Sequence, residues 1–193
     1  MNYIFGCNNK DRFPSRFYGR DWETHCFNFA TRLDNEGKWR NIRRMLLSMT
    51  IQPGGVFWFP DPDLEFEDGL PCQLFESVMR HDLTISQPAL TEDSACSHHQ
   101  LICQKHNDPR PVDFSEIMCP LFSYAALQRN LWTFDLNYSG FGIDYLWGRK
   151  EKCTVLDWLT VRHPSSPGYH NTAVKIGFPD PRRELAEVQR LYL

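Results

Sequence analysis

The sequence predicts one α/β domain that spans residues 1–193. Apolar segments alternate with amphipathic ones, which is the pattern of strands and helices packed in layers. A wholly apolar run, Gly55–Phe59, is bounded by glycine and proline and predicts a buried central strand. No long linker divides the chain, and its length suits a single sizeable core.

The first half of the chain alternates strand and helix patterns. Its predicted elements are a strand at Thr24–Thr31, a basic-faced helix at Lys38–Met49, the strand at Gly55–Phe59, a helix at Leu70–His81 and a strand at Leu83–Gln87. Leu74 and Val78 recur at helical spacing and are expected to face the core. The strand at Leu83–Gln87 is expected to stop before Pro88, because proline cannot donate to a ladder.

The second half continues the alternation. Its predicted elements are extended segments at Gln100–Gln104 and Phe114–Phe122, short helices at Ala125–Leu131 and Ile143–Arg149, a strand at Cys153–Val161 and a terminal helix at Arg182–Leu191. Asp180 and Pro181 are typical of the N-cap and first position of that last helix. The stretch that follows Pro164 is predicted to be loop.

Composition excludes several classes of protein. The net charge is −3, so there is no basic footprint and nucleic acid is not an expected partner. No run approaches the 18 apolar residues that a membrane span needs, and the polar start does not resemble a signal peptide. The chain is therefore expected to be cytoplasmic, or else a soluble catalytic domain of a larger membrane-anchored protein.

The cysteines fit a reducing compartment. There are 7 of them, at irregular spacing and without a C-x2-C pair, so no disulfide framework is indicated. One window contains Cys96, His98, His99, Cys103 and His106, which are residue types that bind zinc. Because neighbouring histidines on an extended chain point to opposite faces, a polar strand with buried cysteines is the preferred interpretation of this window.

Two carboxylates follow the apolar run directly. Asp61 and Asp63 are two residues apart, and Pro60 and Pro62 favour an extended backbone for the residues before them. In an extended chain such residues project from one face, at the carboxyl end of a strand, where open α/β sheets bind ligands. The pair suits Mn²⁺ or Mg²⁺ together with phosphate oxygens, and the alternative is an ordinary acidic turn.

Two further candidates lie downstream. Asp144 follows the glycines Gly140 and Gly142, which permit a ligand to approach the backbone closely, and it is expected in the first turn of a helix. Its alternative role is stabilisation of the helix dipole. His163 closes the strand Cys153–Val161 and could complete a metal site, although a lone histidine is more often structural.

This ordered set resembles a glycosyltransferase of the GT-A fold. It is more closely similar to the plant and bacterial glycosyltransferase-like family catalogued as domain of unknown function 707. The matching stretches lie within residues 37–168 and are, in chain order, Gly37–Trp39, Phe57–Glu65, Ile85–Leu90, Ser97–His99, Phe114–Met118, Phe122–Ser123, Gly140–Asp144 and Val161–His163. The resemblance implies a Rossmann-like mixed sheet flanked by helices, in a single domain.

The resemblance also implies a reaction. A sugar would pass from a nucleotide-diphosphate donor, UDP by analogy, to a hydroxyl of a glycan or polysaccharide acceptor, with inversion at the anomeric carbon. Mn²⁺ or Mg²⁺ would be held by Asp61, Asp63 and His163, with Asp144 as the general base. The remaining implied contacts are Arg20, Asp21, Lys38 and Arg162 for the donor, and Phe141 and Trp147 for the acceptor. The alternative for Lys38 is a solvated helix face, and the alternative for the aromatic residues is core packing, which is the more common role.

Two departures from the family pattern keep other functions open. The metal motif of the family has three acids in a row, and here Pro62 stands in place of the middle one. A GT-A domain usually opens with a full nucleotide-binding strand, for which only Met1–Phe5 is available here. One alternative is a catalytically inactive relative that binds a nucleotide sugar or a glycan. The other is a metal-dependent phosphoesterase built on the same acids.

Overall fold

The structure, a computed structural model, describes residues 1–8, 22–28, 37–67, 70–164 and 179–193. Its strands are β1 (Asn2–Asn8), β2 (Trp22–Asn28), β3 (Val56–Trp58), β4 (Ile85–Leu90), β5 (Arg110–Val112), β6 (Leu121–Ser123) and β7 (Cys153–Val161). Its α-helices are α1 (Gly37–Ser48), α2 (Leu70–Arg80), α3 (Tyr124–Asn130), α4 (Ile143–Lys150) and α5 (Pro181–Tyr192). Short 3-10 segments occupy His99–Leu101 and Leu131–Asp135.

The strands form one mixed sheet in the order β2-β1-β3-β6-β4-β7-β5. β1, β2 and β3 are parallel to one another, and β4 is parallel to β7. β6 is antiparallel to both of its neighbours, β3 and β4, and β5 is antiparallel to β7. As a result, the carboxyl ends of β3, β4 and β7 and the amino end of β6 meet at one edge, called the carboxyl edge below.

Apolar side chains pack on both faces of this sheet, which makes three layers. On one face Trp58 and Leu156 pack in a cluster with Leu74 and Phe75 of α2. On the other face α1, α3 and α4 contribute to an aromatic cluster that includes Trp39, Phe122, Phe134 and Trp147. In that cluster the rings of Trp39 and Trp147 meet edge to face at 5.1 Å. The prediction of an α/β domain with a mixed sheet flanked by helices is confirmed.

Several predicted elements agree with the structure. α1, α2, α4 and β7 match their predictions to within a residue or two, and the central strand lies at β3. The Asp180 carboxylate accepts a hydrogen bond from the Arg182 backbone N–H at 3.0 Å, so the predicted N-cap of α5 is confirmed. β2 begins before the predicted Thr24–Thr31 strand, whose last residues lie outside the described ones.

Other predictions are wrong. β4 does not stop before Pro88, because the register with β7 shifts between Pro88 and Ala89, and proline is tolerated at such an irregularity. Gln100–Gln104 is a 3-10 turn followed by a single bridge between Leu90 and Ile102, not a strand. Of Phe114–Phe122 only the end, at β6, is extended.

An ion pair explains why the segment after β4 folds as it does. The Arg110 guanidinium binds both oxygens of the buried Asp157 carboxylate at 2.9 Å, and it donates to the backbone carbonyls of Gln100 and Ile102. The Cys103 thiol donates to the carbonyl of Asp157 at 3.2 Å. These bonds attach the segment to β7.

The described cysteine side chains are free thiols, at Cys72, Cys96, Cys103, Cys119 and Cys153. Cys96, from the window of zinc-binding residue types, bonds to the backbone of His98. Within the described ranges, no helix combines the length and apolarity that crossing a membrane requires.

Candidate active site at the carboxyl edge

Strand pairing continues past β3 and fixes the first acid of the site. The backbone N–H of Phe59 bonds to the carbonyl of Pro120 at 3.0 Å, and that of Asp61 bonds to the carbonyl of Met118 at 2.7 Å. The segment that carries Asp61 is therefore held beside the chain that enters β6. Asp63 lies two residues further on, in a turn, and its side chain is half-exposed.

Lys38 of α1 links Asp61 to the two backbone segments beside it, and this group of residues is called the Lys38 corner below. Its ammonium donates to the Asp61 carboxylate at 2.7 Å and to the carbonyls of Phe59 and Ile117, both at 2.8 Å. An ammonium has three N–H donors, so all of them are bound by protein oxygens. In this arrangement the lysine fixes the position of Asp61, and its contact with donor phosphate stays a prediction.

His163 and Asp63 face each other across the edge. The His163 Nδ1 atom lies 2.9 Å from the carbonyl of Ala95, and because a carbonyl only accepts, Nδ1 carries a proton. Nε2 is thereby directed at Asp63 Oδ2, 3.6 Å away. The Asp63 carboxylate raises the pKa of His163 to about 9, and His163 in turn lowers the pKa of Asp63.

Asp144 is buried at the start of α4. One carboxylate oxygen accepts a hydrogen bond from the backbone N–H of Tyr145 at 3.0 Å. Burial outweighs this and the other backbone hydrogen bonds and raises the pKa of Asp144 to about 7. A carboxyl group with such a pKa can exchange a proton near neutral pH.

Glu116 is an acid of this region that was not among the predicted site residues. It precedes β6, so the antiparallel direction of that strand brings it to the carboxyl edge. Burial, and to a lesser extent the charge of Asp144, raise the pKa of Glu116 to about 7. The signal available in the sequence was an acid within an otherwise apolar segment, but that segment was predicted to be one long strand.

The glycines before Asp144 serve packing. Gly140 has a φ of +82°, and a Cβ atom there would overlap the Trp39 ring. Gly142 has a φ of +93°, and a Cβ atom there would press on Val188 of α5 at 3.0 Å. The described neighbours of these glycines are protein side chains, so the expected close approach of a ligand is not needed to explain them.

The two proposed acceptor contacts lie in different environments. Trp147 is completely buried, and its indole N–H donates to the Thr133 hydroxyl at 2.9 Å. It has no exposed face to stack on a sugar, so the prediction of an acceptor contact is wrong for Trp147. Phe141 is partly exposed, and its carbonyl accepts from the Asn137 amide at 2.8 Å.

Of the remaining predicted donor contacts, the structure describes Arg162. The Arg162 guanidinium lies at the carboxyl edge and bonds to Asp93 at 2.6 Å and to Glu65 at 2.8 Å. These two bonds use two of the five guanidinium N–H groups. Arg20 and Asp21 lie outside the described residues.

The candidate metal ligands do not form a closed cage. Within the described segments, no group of three or more His, Cys, Asp or Glu side chains is arranged to hold a metal ion. The donor chemistry of Asp63 and His163 nevertheless fits a divalent cation, because a histidine whose Nδ1 bonds a backbone carbonyl presents Nε2 for ligation. The cation would have to displace the Nε2 proton that the ion pair with Asp63 stabilises, so its binding would release a proton at neutral pH. A cation held this way would take its other ligands from water and substrate, as Mg²⁺ commonly does.

No protein-family model and no curated protein matches this sequence. Solved structures match its fold. A crystal structure of GalNAc-T7 with UDP, GalNAc and Mn²⁺ superposes with a TM-score of 0.64 at 8% identity, over 100% of this chain and 48% of that one. The chain therefore spans about half the length of that protein.

A second similar structure is S. aureus TarS 1–349 in complex with UDP-GlcNAc. It superposes with a TM-score of 0.55 at 12% identity, over 99% of this chain and 65% of that one. At such identities the likeness concerns the fold alone. The seven-stranded mixed sheet with helices on both faces is thus the fold of the GT-A glycosyltransferases.

Proposed function

We propose that this chain is a glycosyltransferase domain that transfers a sugar from a UDP-sugar to a hydroxyl group of a carbohydrate acceptor. The observation that carries the proposal is that the Lys38–Asp61 and Asp63–His163 pairs lie at the carboxyl edge of a GT-A fold, where the charge of the buried Asp144 acts on Glu116. Solved neighbours of this fold hold UDP or UDP-GlcNAc. The ordered motifs also support a relationship to the family catalogued as domain of unknown function 707, although no family model matches.

The donor end of the proposed site is acidic. Asp61, Asp63 and His163 would hold Mn²⁺ or Mg²⁺, with Asp61 held in position by Lys38. When bound, the cation would neutralise the charge of the donor diphosphate and of the departing nucleotide. Arg162, whose guanidinium also binds Asp93 and Glu65, is a further candidate for the diphosphate.

The acceptor end contains the proposed base, Asp144. Its carboxylate would accept the proton of the acceptor hydroxyl while that oxygen bonds to the anomeric carbon. The electron pair of the broken glycosyl–phosphate bond leaves with UDP. Because the oxygen attacks opposite the leaving group, the product has the inverted anomeric configuration, which NMR of the product can establish. Phe141, which is partly exposed, is a candidate contact for the acceptor ring.

Ligand-dependent thermal unfolding tests the donor site. A ligand that binds only the folded protein stabilises it by about 2.7 kcal/mol at a concentration 100 times its Kd. We therefore expect UDP-GlcNAc or UDP-GalNAc together with Mn²⁺ to raise the Tm by several degrees, and Mn²⁺ alone or the nucleotide sugar alone to raise it much less. Asp63→Asn should abolish the combined shift.

The control is Asp108→Asn, which removes a carboxylate at an exposed position. This variant should keep the full shift. If neither UDP-sugar raises the Tm of the folded wild type with Mn²⁺, the proposed donor site is wrong. A shift without any transfer to acceptors would instead identify an inactive binding relative, and release of phosphate from simple esters would identify a phosphoesterase.

A further inference from the structure

Glu116 has a buried carboxylate oxygen that lacks a partner. Its Oε2 atom is shielded from solvent, and no hydrogen-bond donor within the described residues reaches it. Leaving a buried polar atom unsatisfied is unfavourable, because the atom has lost its water partners without a replacement. Such an atom in a candidate active site needs an explanation, and a group supplied by a bound substrate is one.

The position of Glu116 is built by completely buried polar residues. Gln87 of β4 accepts a hydrogen bond from the Glu116 backbone N–H at 2.7 Å through its side-chain oxygen. The same oxygen accepts from the Ser115 hydroxyl at 3.2 Å. Gln87 and Ser115 are both completely buried, and their side chains fix the backbone that carries Glu116.

Glu116 is electrostatically coupled to both groups of residues in the proposed site. The charge of Asp144, the proposed base, acts on its carboxyl, and so do the charges of His163 and Asp61. The pKa of Glu116, raised to about 7 by burial, lets its carboxyl either donate or accept a hydrogen bond at neutral pH. A sugar hydroxyl both donates and accepts, and so matches it.

We propose that Glu116 is a second catalytic carboxyl group, and this inference rests on the proposed function. Glu116 would bind and orient the acceptor hydroxyl, whose proton Asp144 accepts. The transfer itself is unchanged: the hydroxyl proton goes to Asp144, the acceptor oxygen bonds to the anomeric carbon, and UDP leaves with the electron pair. Glu116 contributes a hydrogen bond to the reacting oxygen and no net proton.

The test compares Glu116→Gln with the wild type. The donor is the UDP-sugar that shifts the wild-type Tm most, and the acceptors are p-nitrophenyl glycosides of glucose, galactose and N-acetylglucosamine. We expect Glu116→Gln to lower kcat/KM for the acceptor at least tenfold while the affinity for UDP with Mn²⁺ stays within twofold. At pH 8, where the wild-type carboxyl is ionised without a partner, the variant should unfold at a Tm no lower than that of the wild type.

The matched control is Glu76→Gln, which removes the same charge from an exposed position on α2. This variant should transfer sugar at the wild-type rate. Wild-type activity of Glu116→Gln would overturn the inference alone. A lowered Tm with a parallel loss of UDP affinity would also overturn it, because the residue would then be structural. A wild type that transfers no sugar would overturn the proposed function itself, and this inference would fall with it.

Discussion

Local environment separates the acids of the site into two kinds. Asp63 faces His163, which lowers the pKa of Asp63 and keeps it ionised, as a cation ligand must be. Asp144 is buried without a cationic partner among the described residues, and burial raises its pKa to about 7. Carboxyl groups whose environments drive their pKa values apart are suited to different roles. The environment of Asp144 favours proton transfer.

The raised pKa of Asp144 predicts a pH dependence of stability. The folded-state pKa, about 7, is higher than that of the unfolded chain, so between pH 4 and pH 7 the folded protein binds a proton that the unfolded chain releases. This group therefore makes the free energy of unfolding fall as the pH rises through that window. Urea unfolding should show Asp144→Asn gaining stability relative to the wild type from pH 5 to pH 8.

Asp108→Asn provides the comparison at an exposed position. Its stability relative to the wild type should change little with pH. If the advantage of Asp144→Asn is the same at pH 5 and pH 8, the carboxyl of Asp144 titrates near its ordinary value and is not poised for proton transfer at neutral pH.

Among the elements, the loop before α4 connects the site to the aromatic core. Gly140 bonds to the Asn137 side chain through its backbone N–H, at 2.8 Å, and lies against the Trp39 ring. The first residues of α4 follow directly and carry Asp144. The orientation of the proposed base thus depends on how this loop packs on α1.

Gly140→Ala should destabilise the protein by about 2–4 kcal/mol, because it adds a steric overlap with Trp39 to the cost of a left-handed backbone. The matched control is Gly54→Ala, which has a similar φ of +81° but nothing within 4 Å of the added Cβ. That variant should lose only about 1 kcal/mol. Chemical denaturation measures both, and equal losses would contradict the role of the Trp39 contact.

For the molecule as a whole, both apolar layers depend on the same sheet. Trp58 is buried on one face, and Trp39 and Trp147 are buried on the other. We expect urea unfolding monitored by tryptophan fluorescence and by far-ultraviolet circular dichroism to give one coincident transition. Two separated transitions would show that one layer unfolds while the sheet persists.

The sequence predicted the elements whose pattern is local. β7 and α2 have long, regular patterns, and the N-cap of α5 depends on adjacent residues. Pairing between distant segments was not predictable in this way. The direction of β6 depends on its two neighbours in the sheet, and it is this direction that brings Glu116 to the site.

The same distinction applies to the site residues. Asp61 and Asp63 were identifiable because they follow a buried strand directly. Trp147 was assigned to an acceptor because aromatic residues serve both in cores and in sugar binding, and only packing distinguishes the two roles. The contacts of Lys38 were not predictable, because the carbonyls of Phe59 and Ile117 that accept its hydrogen bonds are distant in the sequence.

The three bonds of the Lys38 ammonium also bear on the order of folding. One carbonyl acceptor is 21 residues away along the chain and the other is 79 residues away, so the contact is complete only after β6 has docked beside β3. Contacts between such distant segments carry a large loop-closure entropy and tend to form late. We therefore expect the Lys38 corner to gain its final geometry on the native side of the folding barrier. Loss of the Lys38 ammonium would then accelerate unfolding more than it slows refolding.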